Sequence, residues 1–309
     1  IYTSIFIFRP EVTAPAVNIA SDSPPIIPFL FVTIACGAIS GFHGLVSSGT
    51  SSKQLEKLSD ARIVGYGGMI GEGTLALAST IAAVAGISLV AEANLPSVGV
   101  VSDLNWAVYY DSWEHASSNK ATAFVLGGGA LLESLGISMN MANTIMAVLV
   151  ISFAATTLDT ATRIQRFILN EFGLVTKIKF LSNRFFATAI AIIPAILLAF
   201  WNFSDPGSGA IRQAGWILWP IFGASNQMLG ALTLMVLTLY YWQKKKPILP
   251  LLIPMLFILA ITFTALIINA FKFFGENTIL FVLTILLIFL ILWMVYEGIN
   301  KVLEIRRTT

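Results

Sequence analysis

The sequence predicts an all-α fold, a polytopic membrane helix bundle of about seven transmembrane helices. Three observations carry that reading. Apolar residues fill 57% of the 309 positions and charged residues only 11%, too few charges to cover a soluble domain. Mean hydropathy is +0.84. Seven low-charge stretches each approach or exceed the roughly 20 predominantly apolar residues that a spanning helix requires.

Taken in order, residues 1–8 are apolar and Arg9 and Pro10 follow. Residues 1–24 therefore read as an outer lead-in from a missing preceding helix, and the chain as a truncated, C-terminal part of a longer product. A short interfacial anchor is the alternative. Core helices are expected at 25–50, 62–91, 134–163, 184–204 and 213–243, and two peripheral helices at 247–305. Between the second and third lies a long outer loop, 92–133, with Asp103, Asp111 and Glu114. Its apolar piece Thr122–Leu132 is too short to span, so it is either re-entrant or packed on the surface.

Basic residues set the direction. Alternating the loops places Lys53, Lys57, Arg62, Arg163, Arg166, Lys177, Lys179, Arg184, Lys244, Lys245, Lys246, Lys301, Arg306 and Arg307 on one side. Only Arg9, Lys120, Arg212 and Lys272 fall on the other. The positive-inside rule then predicts a plasma (inner) membrane protein with Ile1 outside and Thr309 in the cytoplasm. The net charge of +2 is too small to point to a nucleic-acid partner, and Cys36, the single cysteine, rules out an intrachain disulfide.

Four stretches hold more polar chemistry than lipid contact explains. In PFLFVTIACGAISGFHGLVSSGTSSKQL, Gly37, Gly41, Gly44 and Gly49 crowd around Ser40 and His43. Glycines at membrane depth permit either a broken helix beside a cavity or close helix packing. Discontinuous helices offer backbone groups to substrates in transporters. Histidine is the side chain whose charge most readily changes near neutral pH, so His43 is a proton-coupling candidate or a structural histidine. Glu72, in GYGGMIGEGTLALAS, lies about 15 Å along its helix from Arg62. A mid-membrane carboxylate serves as proton relay, ion ligand or buried hydrogen-bonding partner.

In ISFAATTLDTATRIQRFILNEF, Thr156 shares a face with Thr160, and Asp159 with Arg163. Hydroxyl and carbonyl oxygens at Thr156 and Thr157 suit Na⁺. Threonines bonded back to the preceding turn, with an edge ion pair at Asp159, are the alternative. The fifth span, GWILWPIFGASNQMLGALTL, is read as interrupted by Pro220 and carries Ser225, Asn226 and Gln227 in succession. Spans six and seven read as scaffold. There is no phosphate loop, CxxC pair or HExxH, and His43 and His115 are far apart in expected depth. The sequence therefore reads as a non-enzyme.

The runs PFLFVTIACGAISGFHGLVSSGTSSKQL, DARIVGYGGMIGEG, TTLDTATRIQRFIL and LWPIFGASNQMLGALTL, in that order, resemble the carbon starvation protein CstA family. The likeness runs from about Pro28 to Lys244, with spans six and seven similar in hydropathy only. The resemblance implies a secondary transporter of peptides or small carboxylates such as pyruvate, within the amino acid–polyamine–organocation superfamily. Its core would be two inverted five-helix repeats, of which this chain holds the second plus two extra helices. The first span would be the broken sixth core helix, and the third the eighth, with Thr156 and Thr157 at a cation site.

The substrate-binding candidates are thus Ser40, Gly41, His43, Gly44, Ser225 and Asn226. The ion-coupling candidates are Glu72, Thr156, Thr157, Asp159 and His43. No cofactor is expected beyond Na⁺ or H⁺ as coupling ion, and the expected partners are substrate, lipid and the missing N-terminal repeat, in the same or a separate chain. A membrane nutrient sensor is the alternative function.

Overall fold

The computed structural model describes residues 1–17, 25–95, 99–102, 104–112, 120–204 and 211–308. In chain order the principal helices are α1 (Tyr2–Phe8), α2 (Phe31–Ala38), α3 (Gly41–Val46), α4 (Gly68–Val84) and α5 (Lys120–Glu133). They continue with α6 (Met139–Val175), α7 (Arg184–Phe200), α8 (Trp219–Gln243), α9 (Leu249–Phe273) and α10 (Thr278–Thr308). Two antiparallel hairpins complete the set, β1 (Glu92–Leu95) with β2 (Gly99–Ser102) and β3 (Asn202–Ser204) with β4 (Ile211–Gln213). The chain divides into two compact units, Ile1–Ser23 with Leu55–Thr160, and Pro24–Gln54 with Ala161–Thr309.

Among the described residues six helices are long and apolar enough to cross a membrane: Ile26–Gln54, Asp60–Val84, Met139–Val175, Ile221–Gln243, Leu249–Phe273 and Thr278–Arg307. Their outward faces are apolar, as with Ile151, Phe153, Ile253, Phe257, Phe289 and Trp293, which is what lipid contact requires. The stretch expected to be the fourth span forms a helix of 17 residues, Arg184–Phe200, below the length of the other six. Asn183 caps it by accepting from the Phe185 N–H at 2.9 Å. Trp201 turns to an extended backbone, and Asn202–Ser204 leave for the β3–β4 hairpin. The sequence count had included those strand residues in the span.

In the first unit the connection after α4 is folded. Ile87, Val90, Leu95, Leu104, Tyr109 and Ala123 form one buried cluster between the β1–β2 hairpin and α5. The piece Thr122–Leu132 lies within α5, which packs on α4. Gly127 makes that approach possible, because a Cβ there would collide with the Ala82 carbonyl. Burial, with Tyr110 adding to it, holds the Tyr109 hydroxyl well above the usual tyrosine range. A hydrogen bond links Ser4 Oγ and Ser134 Oγ at 2.7 Å and ties α1 to the end of α5. Asp103, Glu114 and His115 lie outside the described residues.

In the second unit α8 is the central post. It packs against α2 and α3, against α9, and against α10. Pro220 does not interrupt it. The proline occupies the first turn, where its missing N–H has no helical partner to lose and its fixed φ suits the start. Ile221 packs with Phe273 and Leu280, and Ala224 with Leu266 and Ile291. These pairs set α8 and α9 antiparallel.

Candidate functional site

The first long helix breaks where its glycines concentrate. α2 ends at Ala38, and Ile39 (φ −130°, ψ 75°) and Ser40 (φ −81°, ψ 121°) leave helical geometry before α3 begins at Gly41. A break of this kind strands N–H groups on one side and carbonyls on the other. Asn226 of α8 engages both. Its Oδ1 accepts from the Phe42 N–H at 2.9 Å, and its Nδ2 donates to the Cys36 carbonyl at 3.3 Å and to Cys36 Sγ at 2.9 Å. Ser40 Oγ lies 3.4 Å from Oδ1 and 3.3 Å from Nδ2. Asn226 is only 6% exposed, so this amide is a clasp held in an apolar seam.

The seam is built from small residues on both sides. On α8, Gly223, Asn226, Gly230 and Thr233 recur at helical spacing and form one stripe. A Cβ on Gly41 would collide with the Asn226 carbonyl oxygen and the Gly230 nitrogen, and one on Gly44 with Thr233 Oγ1. A Cβ on Gly223 would meet Val32, and one on Gly230 the Ile39 carbonyl. Glycine at Gly41 and Gly44 lets the backbones touch, as small-residue interfaces do in membranes.

Four substrate-binding candidates therefore sit in this seam: Ser40, Gly41 and Asn226 in mutual contact, and Gly44 beside them against Thr233. The other two do not join the clasp. Ser225 Oγ donates to the Phe222 carbonyl at 2.8 Å in its own helix. The His43 side chain is exposed, with its ring edge-on to Phe42 at 6.2 Å.

Of the remaining ion-coupling candidates, Glu72, Thr156, Thr157 and Asp159 all fall in the first unit and are exposed on α4 and α6. Thr156 Oγ1 donates to the Phe153 carbonyl and Thr160 Oγ1 to the Thr156 carbonyl, each at 3.0 Å. That is the back-bonding alternative, although a hydroxyl oxygen that donates keeps lone pairs for a cation. Among the described residues no group of three or more His, Cys, Asp or Glu side chains converges as a metal site would.

Sequence reasoning missed Cys36, Gly230 and Thr233 as parts of the seam. The stripe of small and polar residues on α8 is the signal that marks the last two. Gln227, which the sequence sets beside Asn226, is a second buried amide. Gln227 is 1% exposed, and neither Oε1 nor Nε2 finds a hydrogen-bond partner among the described residues. One turn beyond the Ala224–Leu266 packing, on α9, the Thr262 hydroxyl is also buried and without a partner among them.

Comparison with known proteins places these residues in a lineage. The family described as Carbon starvation protein CstA matches residues 1–265, reaching beyond Lys244 into α9 and back through the lead-in. The chain is 33% identical over 272 residues to the "Peptide transporter CstA" of Helicobacter pylori strain J99, covering 77% of this chain and 39% of that protein. It is 28% identical over 304 residues to the "Peptide transporter CstA" of Escherichia coli K12, covering 84% and 43%. The "Pyruvate/proton symporter BtsT" of the same organism is 30% identical over 296 residues, covering 78% and 41%. The chain thus spans 39% to 43% of the length of these relatives. No solved structure matches it.

Proposed function

The chain belongs to the carbon starvation protein CstA family, and from that premise we propose that it forms part of the core of a cation-coupled secondary transporter for peptides or small carboxylates such as pyruvate. The observation that carries this reading is the broken helix. α2 and α3 expose opposite helix ends at one point, and the amide that satisfies both comes from another helix, 184 residues away in sequence for the Phe42 bond. Such an arrangement can exchange one partner for another. A substrate carboxylate accepting from the Phe42 N–H would take the place of Asn226 Oδ1, at the end of a helix whose dipole favours negative charge. The names of the relatives, two peptide transporters and a pyruvate/proton symporter, support substrates that carry a carboxylate.

In this proposal Arg184–Phe200 serves as a seventh span, and the first five spans form the second of two inverted five-helix repeats. α9 and α10 flank that core. A preceding repeat, in the same or another chain, completes the substrate site. Arg163, Arg166, Lys244–Lys246, Arg306 and Arg307 mark the cytoplasmic side of the inner membrane. Coupling runs through a proton on Glu72 or His43, or through Na⁺ held by hydroxyl and carbonyl oxygens at Thr156 and Thr157 near Asp159.

Counterflow tests the reading. Proteoliposomes carrying this chain together with the preceding repeat should take up labelled pyruvate or dipeptide faster when loaded inside with the same unlabelled solute. Uptake that internal substrate leaves unchanged would contradict a carrier. Glu72→Gln should abolish gradient-driven uptake while sparing expression, and uptake at the unsubstituted rate would remove Glu72 from the coupling path.

A further inference from the structure

Away from the clasp, α8 and α10 run together and line a half-open cavity of about 290 Å³ between them. It is lined by Met228, Leu232, Met235, Leu290, Trp293 and Met294 among others, with Glu297 the only charged side chain among the described lining residues. The helices close against each other at Gly298, where a Cβ would collide with Met235 Sδ. Ligand-sized cavities start at about 300 Å³, so this one suits a segment of an extended apolar molecule rather than a whole polar solute.

The ends of the same two helices carry a concentrated positive charge. Lys244, Lys245 and Lys246 follow α8 directly, and Arg306 and Arg307 close α10; all five are exposed. They lie about nine residues past Met235 and Glu297, which is about 13 Å of helix. The two helix ends are level with each other, because the Arg306 guanidinium stands over the Trp242 ring at 5.7 Å. Lys244 and Lys246 lie over the Tyr240 and Tyr241 rings at 5.9 and 5.6 Å, an aromatic and basic rim of the kind found at the headgroup level. Among the described acids at this end of α10, Glu304 is engaged by Lys301 at 2.7 Å.

We propose that the α8–α10 pair binds an anionic phospholipid. Its phosphate meets Lys244–Lys246 and Arg306–Arg307, and one acyl chain lies in the Met- and Leu-lined cavity about 13 Å deeper. Charge complementarity at the rim and an apolar cavity at chain depth on the same helix pair are the two features such a molecule joins. Orientation by positive charge alone would require the first feature and not the second.

The test uses the purified full chain in detergent, with phosphatidylglycerol and phosphatidylcholine of identical acyl chains as probes and native mass spectrometry as readout. Phosphatidylglycerol should be retained at least about tenfold better, as several cations at one headgroup imply. The combined substitutions Lys244→Gln, Lys245→Gln, Lys246→Gln and Arg306→Gln, all on exposed positions, should abolish that preference. Leu232→Trp, which fills the cavity, should weaken retention of both lipids, and inorganic phosphate should fail to compete. Equal retention of the two lipids, a preference that survives the Gln variant, or full competition by inorganic phosphate would each overturn the proposal. Should Leu232→Trp fail to fold, the Gln variant still decides it.

Discussion

The two faces of α8 solve the same packing problem with opposite chemistry. Toward α9 and α10 it presents Ile221 and Ala224, which bury against Phe273, Leu280, Leu266 and Ile291. Toward α2 and α3 it presents Gly223, Asn226, Gly230 and Thr233, and the contact is backbone on backbone with an amide at its centre. The first face is specified by volume, and similar apolar side chains can replace one another there. The second is specified by hydrogen bonds that only one residue type at one position can supply. Adjacent residues make the contrast sharpest. Asn226 satisfies both ends of a broken helix, while Gln227, one position along and equally buried, bonds to nothing among the described residues.

The largest effect should follow from removing the clasp. Asn226→Leu keeps the branching at Cγ but strands the Phe42 N–H and the Cys36 carbonyl, at about 1–3 kcal/mol for each unsatisfied group. Thermal unfolding in detergent should show that loss, and an unchanged midpoint would mean that the break is held elsewhere. Next in size is Gly41→Ala, whose added methyl meets backbone atoms that cannot rotate away; overpacking of this kind costs about 1–3 kcal/mol. Gly44→Ala meets the Thr233 side chain instead, so its effect should be smaller because that hydroxyl can turn. An inverted order of the two glycine variants would show that the seam is looser at Gly41 than its contacts imply. Smallest of all, Gln227→Met replaces an amide without partners by an apolar side chain of similar shape and should leave the midpoint unchanged or raise it. A clear fall would reveal a bond that Gln227 makes and that this contrast denies.

Much of the second face was legible in the sequence. The glycines around Ser40 predict either a break or close packing, and both occur, because a break at membrane depth needs a neighbour near enough to satisfy it. Asn226 stood out as an amide in an apolar run. Its partners did not, since Phe42 lies 184 residues away and only tertiary packing brings them together. Pro220 was misread for a local reason. Its ring is as compatible with a helix's first turn as it is disruptive in the interior, and the preceding Gly215–Leu218 gives no sharp boundary. The fourth span was overcounted because Asn202–Ser204 are uncharged enough to extend an apolar stretch yet pair as a strand. Thr156 and Thr157 were visible as hydroxyls, but whether their oxygens face a turn or an ion is decided by surroundings that spacing does not encode.

We propose that the amide at Asn226, and not merely polarity in this run, keeps the break at Ser40 open to exchange with a substrate carboxylate. Counterflow of labelled pyruvate or dipeptide, in proteoliposomes carrying the chain with the proposed preceding repeat, compares Asn226→Ala with Gln227→Met after both are shown monodisperse by size exclusion. Gln227→Met should exchange at the unsubstituted rate while Asn226→Ala loses trans-stimulated uptake. Exchange by Asn226→Ala at the unsubstituted rate would remove the amide from this role.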